Sequence, residues 1–300
     1  NYEDGGGDEV RSAYAEDSVY LAGGLRFRDR DRLELALERT ETTDALFPGA
    51  GMDAPEDESD QVRLRYRGYD LAGLDALSVE LYRTHVEHLM DNYSNRPLTM
   101  PMALRVPSRS DTTGARIVGE FTTGGDLEWT VGVDYQRNER SATRFMGLTM
   151  DNVEMVQSYL WPDASLEQAG AFAEVRWALS AGRSLKAGLR YDRVSADADA
   201  ADADPPSPML PAPNGLYQQY YGVTHDGEIS EDNWGGLLRF EQRFSDQGED
   251  IALRLRQFFR ANYRFSETSP MGIAVWDELF VGLTKNDWNA PQGYDQNRIF

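Results

Sequence analysis

His88 and Met90 stand two residues apart in the stretch SVELYRTHVEHLMDNYSNR, residues 78–96. Side chains two apart on a strand share a face. One imidazole and one thioether would then lie side by side. Thioethers select Cu(I), and imidazole suits copper generally, so the pair points to a soft metal. Met100 and Met102 follow closely and would bring two further thioethers to the same neighbourhood. His-x-Met alone is a weak motif, and a stray histidine beside a packing methionine is the bland alternative. His85 falls on the opposite face by parity and is not expected in the same site. His225 is far away in the chain.

No other grouping carries chemistry. Acyl hydrolases need Ser or Asp paired with His, and no serine pairs by pattern with His85 or His225. Carboxylate pairs such as Glu56 and Asp57 show no sign of burial. The run Gly5–Gly7 lacks the strand-to-helix setting of a phosphate loop. An enzyme is not expected, and no bound cofactor is expected; copper would be cargo.

Charge narrows the partners. In 300 residues, 51 Asp and Glu face 30 Lys and Arg, for a net charge of −21. Such a surface repels nucleic acid, argues against a phosphate-binding role, and concentrates cations. There is no cysteine. Disulfides, thiolate metal sites and thiol nucleophiles are all removed. No apolar run is long enough for a transmembrane helix. The opening NYEDGGGDE has neither the basic nor the apolar part of a signal peptide. The chain begins as though cut from something longer.

The elements that must carry His88 show a period of two. Val19, Leu21, Leu25 and Phe27 alternate with Tyr20, Ala22, Gly24 and Arg26. Leu33, Leu35 and Leu37 alternate with Glu34, Ala36 and Glu38. Val62, Leu64 and Tyr66 alternate with Arg63, Arg65 and Arg67, and Trp129, Val131 and Val133 with Thr130, Gly132 and Asp134. The same pattern recurs over 115–121, 169–179, 185–192 and 234–241. Strands are expected near 11–28, 32–46, 61–72, 78–93, 112–123, 127–144, 167–180, 184–196, 232–245, 251–265, 271–284 and 294–300.

Two features turn this all-β pattern into an antiparallel transmembrane β-barrel of about 12 strands. Short turns alternate with long polar stretches, which outer-membrane barrels place on the cell exterior. The strands also exceed the average soluble strand and reach the ~9–11 residues that a tilted membrane strand needs. Tyr14, Trp129, Tyr135, Trp177, Tyr191 and Trp234 fall toward strand ends, where aromatic girdles sit. The long stretches 48–60, 95–111, 146–166 and 195–231 are read as extracellular loops. They hold Asp53, Glu56, Asp57, Glu58 and Asp60, then Asp197, Asp199, Asp202 and Asp204, and the methionines Met52, Met146, Met150, Met155 and Met209. A soluble β-sandwich is the rival, and it would bury Leu33, Leu35, Leu37, Trp129 and Val131 in a closed core. Arg83 is a difficulty: with His88 and Met90 inward it faces outward, and an arginine toward lipid costs roughly 2–4 kcal/mol.

NYEDGGGDEV at the start, ALFPGAGMDAPED from residue 45, HLMDNYSNR at 88–96 and GLLRFEQRFSD at 236–246 resemble the barrel of the TonB-dependent outer-membrane copper receptors. The resemblance runs over about residues 1–246. It implies copper binding by His88 and Met90, with further family ligands on an N-terminal plug that this sequence does not encode. Residues 251–300 resemble the end of a smaller, uncharacterised outer-membrane barrel family. A single barrel domain is therefore expected over 1–300, with a join near 246–251. The function this implies is copper capture at the surface of a Gram-negative outer membrane. Partners would be the copper ion and outer-membrane lipid; a TonB-type energy-coupling protein would serve only a full-length parent with its plug. The alternative is a structural or passive-pore barrel with no specific ligand.

Overall fold

The computed structural model describes residues 2–28, 30–180, 182–246, 249–263 and 278–284, with side chains as far as residue 242. A small hairpin pairs β1 (Tyr2–Glu3) with β2 (Glu9–Val10). One antiparallel sheet then follows the chain: β3 (Ala15–Phe27), β4 (Asp31–Ala45), β5 (Asp53–Leu71), β6 (Leu74–Asp91), β7 (Ala103–Thr123), β8 (Leu127–Gly147), β9 (Met155–Ser180), β10 (Arg183–Ala198), β11 (Ile229–Asp246), β12 (Glu249–Tyr263) and β13 (Glu278–Thr284). Among the described residues the sheet has 11 strands, each paired with its neighbours in sequence, from β3 to β13. The expected strand at 294–300 lies outside the described residues. Tight turns close one end of the sheet, as at Gly124 and Gly125, whose φ values of 64° and 81° suit residues without a Cβ. Longer connections, 46–52, 92–102, 148–154 and 199–228, gather at the other end.

One face of the sheet is apolar and uncovered. Leu33, Tyr66, Val79, Ile117, Val133, Ala171, Tyr191 and Trp234 stand in one cross-strand row. Leu35 is 45% exposed, Ile117 45%, Val133 51% and Leu189 57%. A soluble protein rarely leaves so broad an apolar surface in water. Among the described residues the buried apolar side chains are Ala54, Ala76, Ala103, Val106, Ala142, Met146, Val153 and Ala201, and none belongs to this belt. The belt is the lipid face of an antiparallel transmembrane β-barrel wall, and the soluble-core rival does not hold.

The other face is polar and lines the lumen. Glu34, Arg65, Glu80, Arg116 and Asp134 alternate in sign along one row. Arg190 holds Asp134 with two bonds of 2.8 and 2.7 Å. Large luminal side chains lie on glycines: a Cβ at Gly132 would come within 2.6 Å of the Phe172 ring and 2.9 Å of the Ile117 carbonyl oxygen.

The strands run further than their sequence pattern. β5 begins at Asp53, β7 at Ala103 and β9 at Met155, so much of three stretches expected as loops is sheet. Asp57, Met146 and Met155 are strand residues, and the last two face each other across β8 and β9. The fourth long stretch holds a helix, α1 (Pro213–Tyr221), which starts with Pro near its first position and ends at Gly222 with φ 71°. That is the usual placing of proline and glycine about a helix.

Above the belt the outward face turns charged. Arg39, Asp60, His85, Asp111 and Glu139 form one row. The β6–β7 register is unbroken from Ala76 to Asp91, so no bulge changes the face. Arg83 does point outward. It lies in this charged band above the belt and pairs with Asp111 at 3.3 Å, so it is not an unpaired arginine among the apolar side chains.

Candidate functional site

β6 places His88 and Met90 on the luminal face near the long-loop end, with Asp57 and Val106 as cross-strand partners of His88 and Met90 respectively. The His88 Nδ1 lies 2.9 Å from Asp57 Oδ2. The carboxylate is an acceptor, so Nδ1 carries the proton and donates it. In the neutral ring Nε2 then presents a lone pair. Metal-binding histidines are set up in this way, with the second nitrogen held by a carboxylate. The Ser108 hydroxyl donates to the His88 carbonyl oxygen at 3.1 Å and ties the strand edge beneath it.

The other histidines are engaged differently. His85 faces the outer surface, with Nδ1 2.9 Å from Asp111 and Nε2 3.4 Å from Glu87. His225 Nε2 meets Asp197 at 2.7 Å and the Ala198 amide at 3.1 Å, which fixes the 199–228 connection to the end of β10. His88 Nε2 and His225 Nδ1 have no hydrogen-bond partner among the described residues, and the His88 side chain is the more exposed of the two, at 28% against 13%.

The connection 92–102 returns beside the site. Asn92 accepts from the Leu104 amide at 2.8 Å and donates to the Met102 carbonyl oxygen at 3.1 Å. Met102 is thereby tied two residues above Met90, while Met100 is 43% exposed. Among the described residues no three His, Cys, Asp or Glu side chains converge on one point.

A buried carboxylate holds this end of the wall together. Asp53 is fully buried and receives Arg96 at 2.9 and 2.5 Å, Arg11 at 2.8 Å and the Phe47 amide at 2.9 Å. Arg96 also donates to the carbonyl oxygens of Ala50 at 2.8 Å and Met52 at 3.0 Å. Three segments meet at one side chain. The Arg96 bonds, with Phe47 and Arg11, keep the Asp53 carboxyl far below the usual carboxylate range, against the opposing effect of burial. Neither Asp53 nor Asp57 is singled out by the sequence, because both fall in a polar run with no alternation to show which face they take.

Residues 119–300 match the family described as a protein of unknown function, DUF2490. The chain belongs to that family. The family match begins within β7 and takes in the rest of the sheet. An uncharacterized protein of Methylorubrum extorquens is 38% identical over 79 residues, which are 25% of this chain and 33% of that protein. Among solved structures, the copper transporter OprC superposes with a TM-score of 0.70 at 23% identity, over 85% of this chain and 38% of its own. The ferric-catecholate import receptor Fiu of E. coli K12 gives 0.52 at 10% identity, over 83% of this chain and 48% of its own. This member of the family thus spans less than half the length of either neighbour. At these identities the likeness is one of fold, and it is to the wall of receptor barrels.

Proposed function

We propose that this chain is the barrel wall of a Gram-negative outer-membrane receptor and captures Cu(I) on its luminal face through His88 and Met90. The hydrogen bond between His88 and Asp57 carries the proposal, because it leaves Nε2 as a donor atom on the strand face that Met90 shares. A fold shared with a protein named as a copper transporter supports the cargo. Met100 and Met102 add soft donors from the adjoining connection. The belt takes outer-membrane lipid as its partner. Active uptake would require a plug and a TonB-type energy-coupling protein, and no catalytic role is proposed.

Two ligands from the wall make a weak site. Titration of the refolded protein with Cu(I) and with Zn(II) tests it. Cu(I) should bind in preference, His88→Ala with Met90→Ala should abolish binding, and His225→Ala should leave it unchanged. Asp57→Ala should weaken it about tenfold or more, the usual effect of losing the carboxylate behind a ligating histidine. Equal binding of both metals, or unchanged Cu(I) binding in the double variant, would leave a passive barrel without a specific ligand.

A further inference from the structure

Near the tight-turn end, far along the wall from His88, the lumen carries three arginines in one row. Arg26 on β3 stands directly opposite Arg32 on β4, and Arg32 stands directly opposite Arg67 on β5. The row continues through Ser78 and Val118, so it contains no acid from β3 to β7. Like charges directly opposite each other destabilise a sheet. The adjacent row, with Glu34, Arg65, Glu80 and Arg116, alternates its signs, so the same strands neutralise charge one step away.

The surroundings only partly relieve the row. Arg32 pairs with Glu34. Arg67 reaches Glu120 at 3.4 Å. Arg26 makes no ion pair among the described residues. Arg30 and Arg67 stack on Tyr69, with guanidinium carbons 5.3 and 5.5 Å from its ring centre. A cavity of about 840 Å³ opens over the row, lined by six arginines and only two acids, Glu34 and Glu80. Arg30 pairs with Asp70 and Arg65 with Glu80, which leaves Arg26 and Arg116 without an ion pair among the described residues, in a chain whose net charge is −21.

We propose that this luminal row binds a diphosphate-type oxyanion. Each guanidinium fork matches the oxygens of a phosphate group in pairs. Neighbouring strands lie about 4.8 Å apart, so three forks cover about 10 Å. A single carboxylate engages one fork. Two linked phosphate groups engage the row from end to end and remove the repulsion along it. The acidity of the whole chain does not decide the matter, because salt screens charges more than about 10 Å away while these arginines are adjacent.

Calorimetric titration of the refolded protein with pyrophosphate, at constant ionic strength, tests the assignment. Wild type should bind pyrophosphate more tightly than orthophosphate. Arg26→Gln with Arg67→Gln should weaken binding by at least about tenfold for each charge removed. Arg176→Gln should change nothing, because Arg176 lies on the same face but already pairs with Glu128 at 3.0 Å. In buffer free of multivalent anions the double variant should melt no lower than wild type, since it removes repulsion. Equal binding by the double variant would overturn the proposal. So would a lower melting temperature of that variant without anion, which would make the arginines structural. Displacement of pyrophosphate by a polyglutamate peptide of equal charge would assign the row to an acidic polypeptide and overturn it as well.

Discussion

Asp53 shows how one carboxylate can organise a strand end. It answers two arginines and a backbone amide from segments on either side of it. Asp53→Ala would leave Arg96 half buried without its partner, and breaking a buried pair by removing one member costs about 3–5 kcal/mol. The connections 46–52 and 92–102 should become cleavable by protease while the belt stays folded. Acid should act late. The folded carboxyl lies well below its ordinary value of about 3.9. Its stabilisation is therefore complete above that value and is lost only as pH falls through the folded one. Protease protection of both connections should persist at pH 4; their release at that pH would contradict the pairing. At this scale the sequence shows His88 and Met90 as a pair on one face, because parity is local. It does not show Asp57 behind His88 or Asp53 between Arg11 and Arg96, because those contacts join positions 31 to 43 residues apart.

The strands are legible where they cross lipid. Leu35, Ile117 and Val133 alternate with Glu34, Arg116 and Asp134 because one neighbour meets lipid and the next meets the lumen. Beyond the belt both faces are wet, and the alternation loses its contrast. Residues 53–60, 103–111 and 155–166 therefore read as loops although they are sheet. The helix α1 was signalled by Pro213 and Gly222 but lay inside a run rich in Ala, Asp and Pro that reads as irregular. One element-level prediction concerns β8. Gly132→Val would push a branched side chain into the Phe172 ring and toward the Ile117 carbonyl, where even a Cβ is too close. The folded fraction after refolding, read from heat-modifiable migration on a gel, should fall sharply. Gly235→Ala, with open space above it, should refold as wild type does.

For the whole molecule, the two faces predict opposite responses to the same charge. Val133→Arg places a guanidinium in the belt and should cost roughly 2–4 kcal/mol of stability in bilayers. Thr130→Arg places it in the lumen, in register with Glu120 and Glu174, and should cost little. Urea titration of folding in lipid vesicles reads both values. Equal costs would mean that the apolar face is not the one lipid covers.

Among the described residues nothing pairs with the far edge of β3. Every residue from Ala15 to Phe27 is exposed. Edge strands are ordinarily blunted by lysine, proline or a bulge. The stretch AEDSVYLAGGLRF has neither lysine nor proline, and its pairing with β4 runs without a break. Only Glu16, Asp17 and Arg26 place charge along it. Among the described residues its outer amides and carbonyls have no strand partner, and a barrel wall closes only when a strand is supplied there. Where the wall is opened, as on partial unfolding in dilute detergent, copies of the chain should add edge to edge, and cross-linking should show a ladder of multiples. Proline at Val19 should shorten that ladder without disturbing β4, and an unchanged ladder would place the adhesive edge elsewhere.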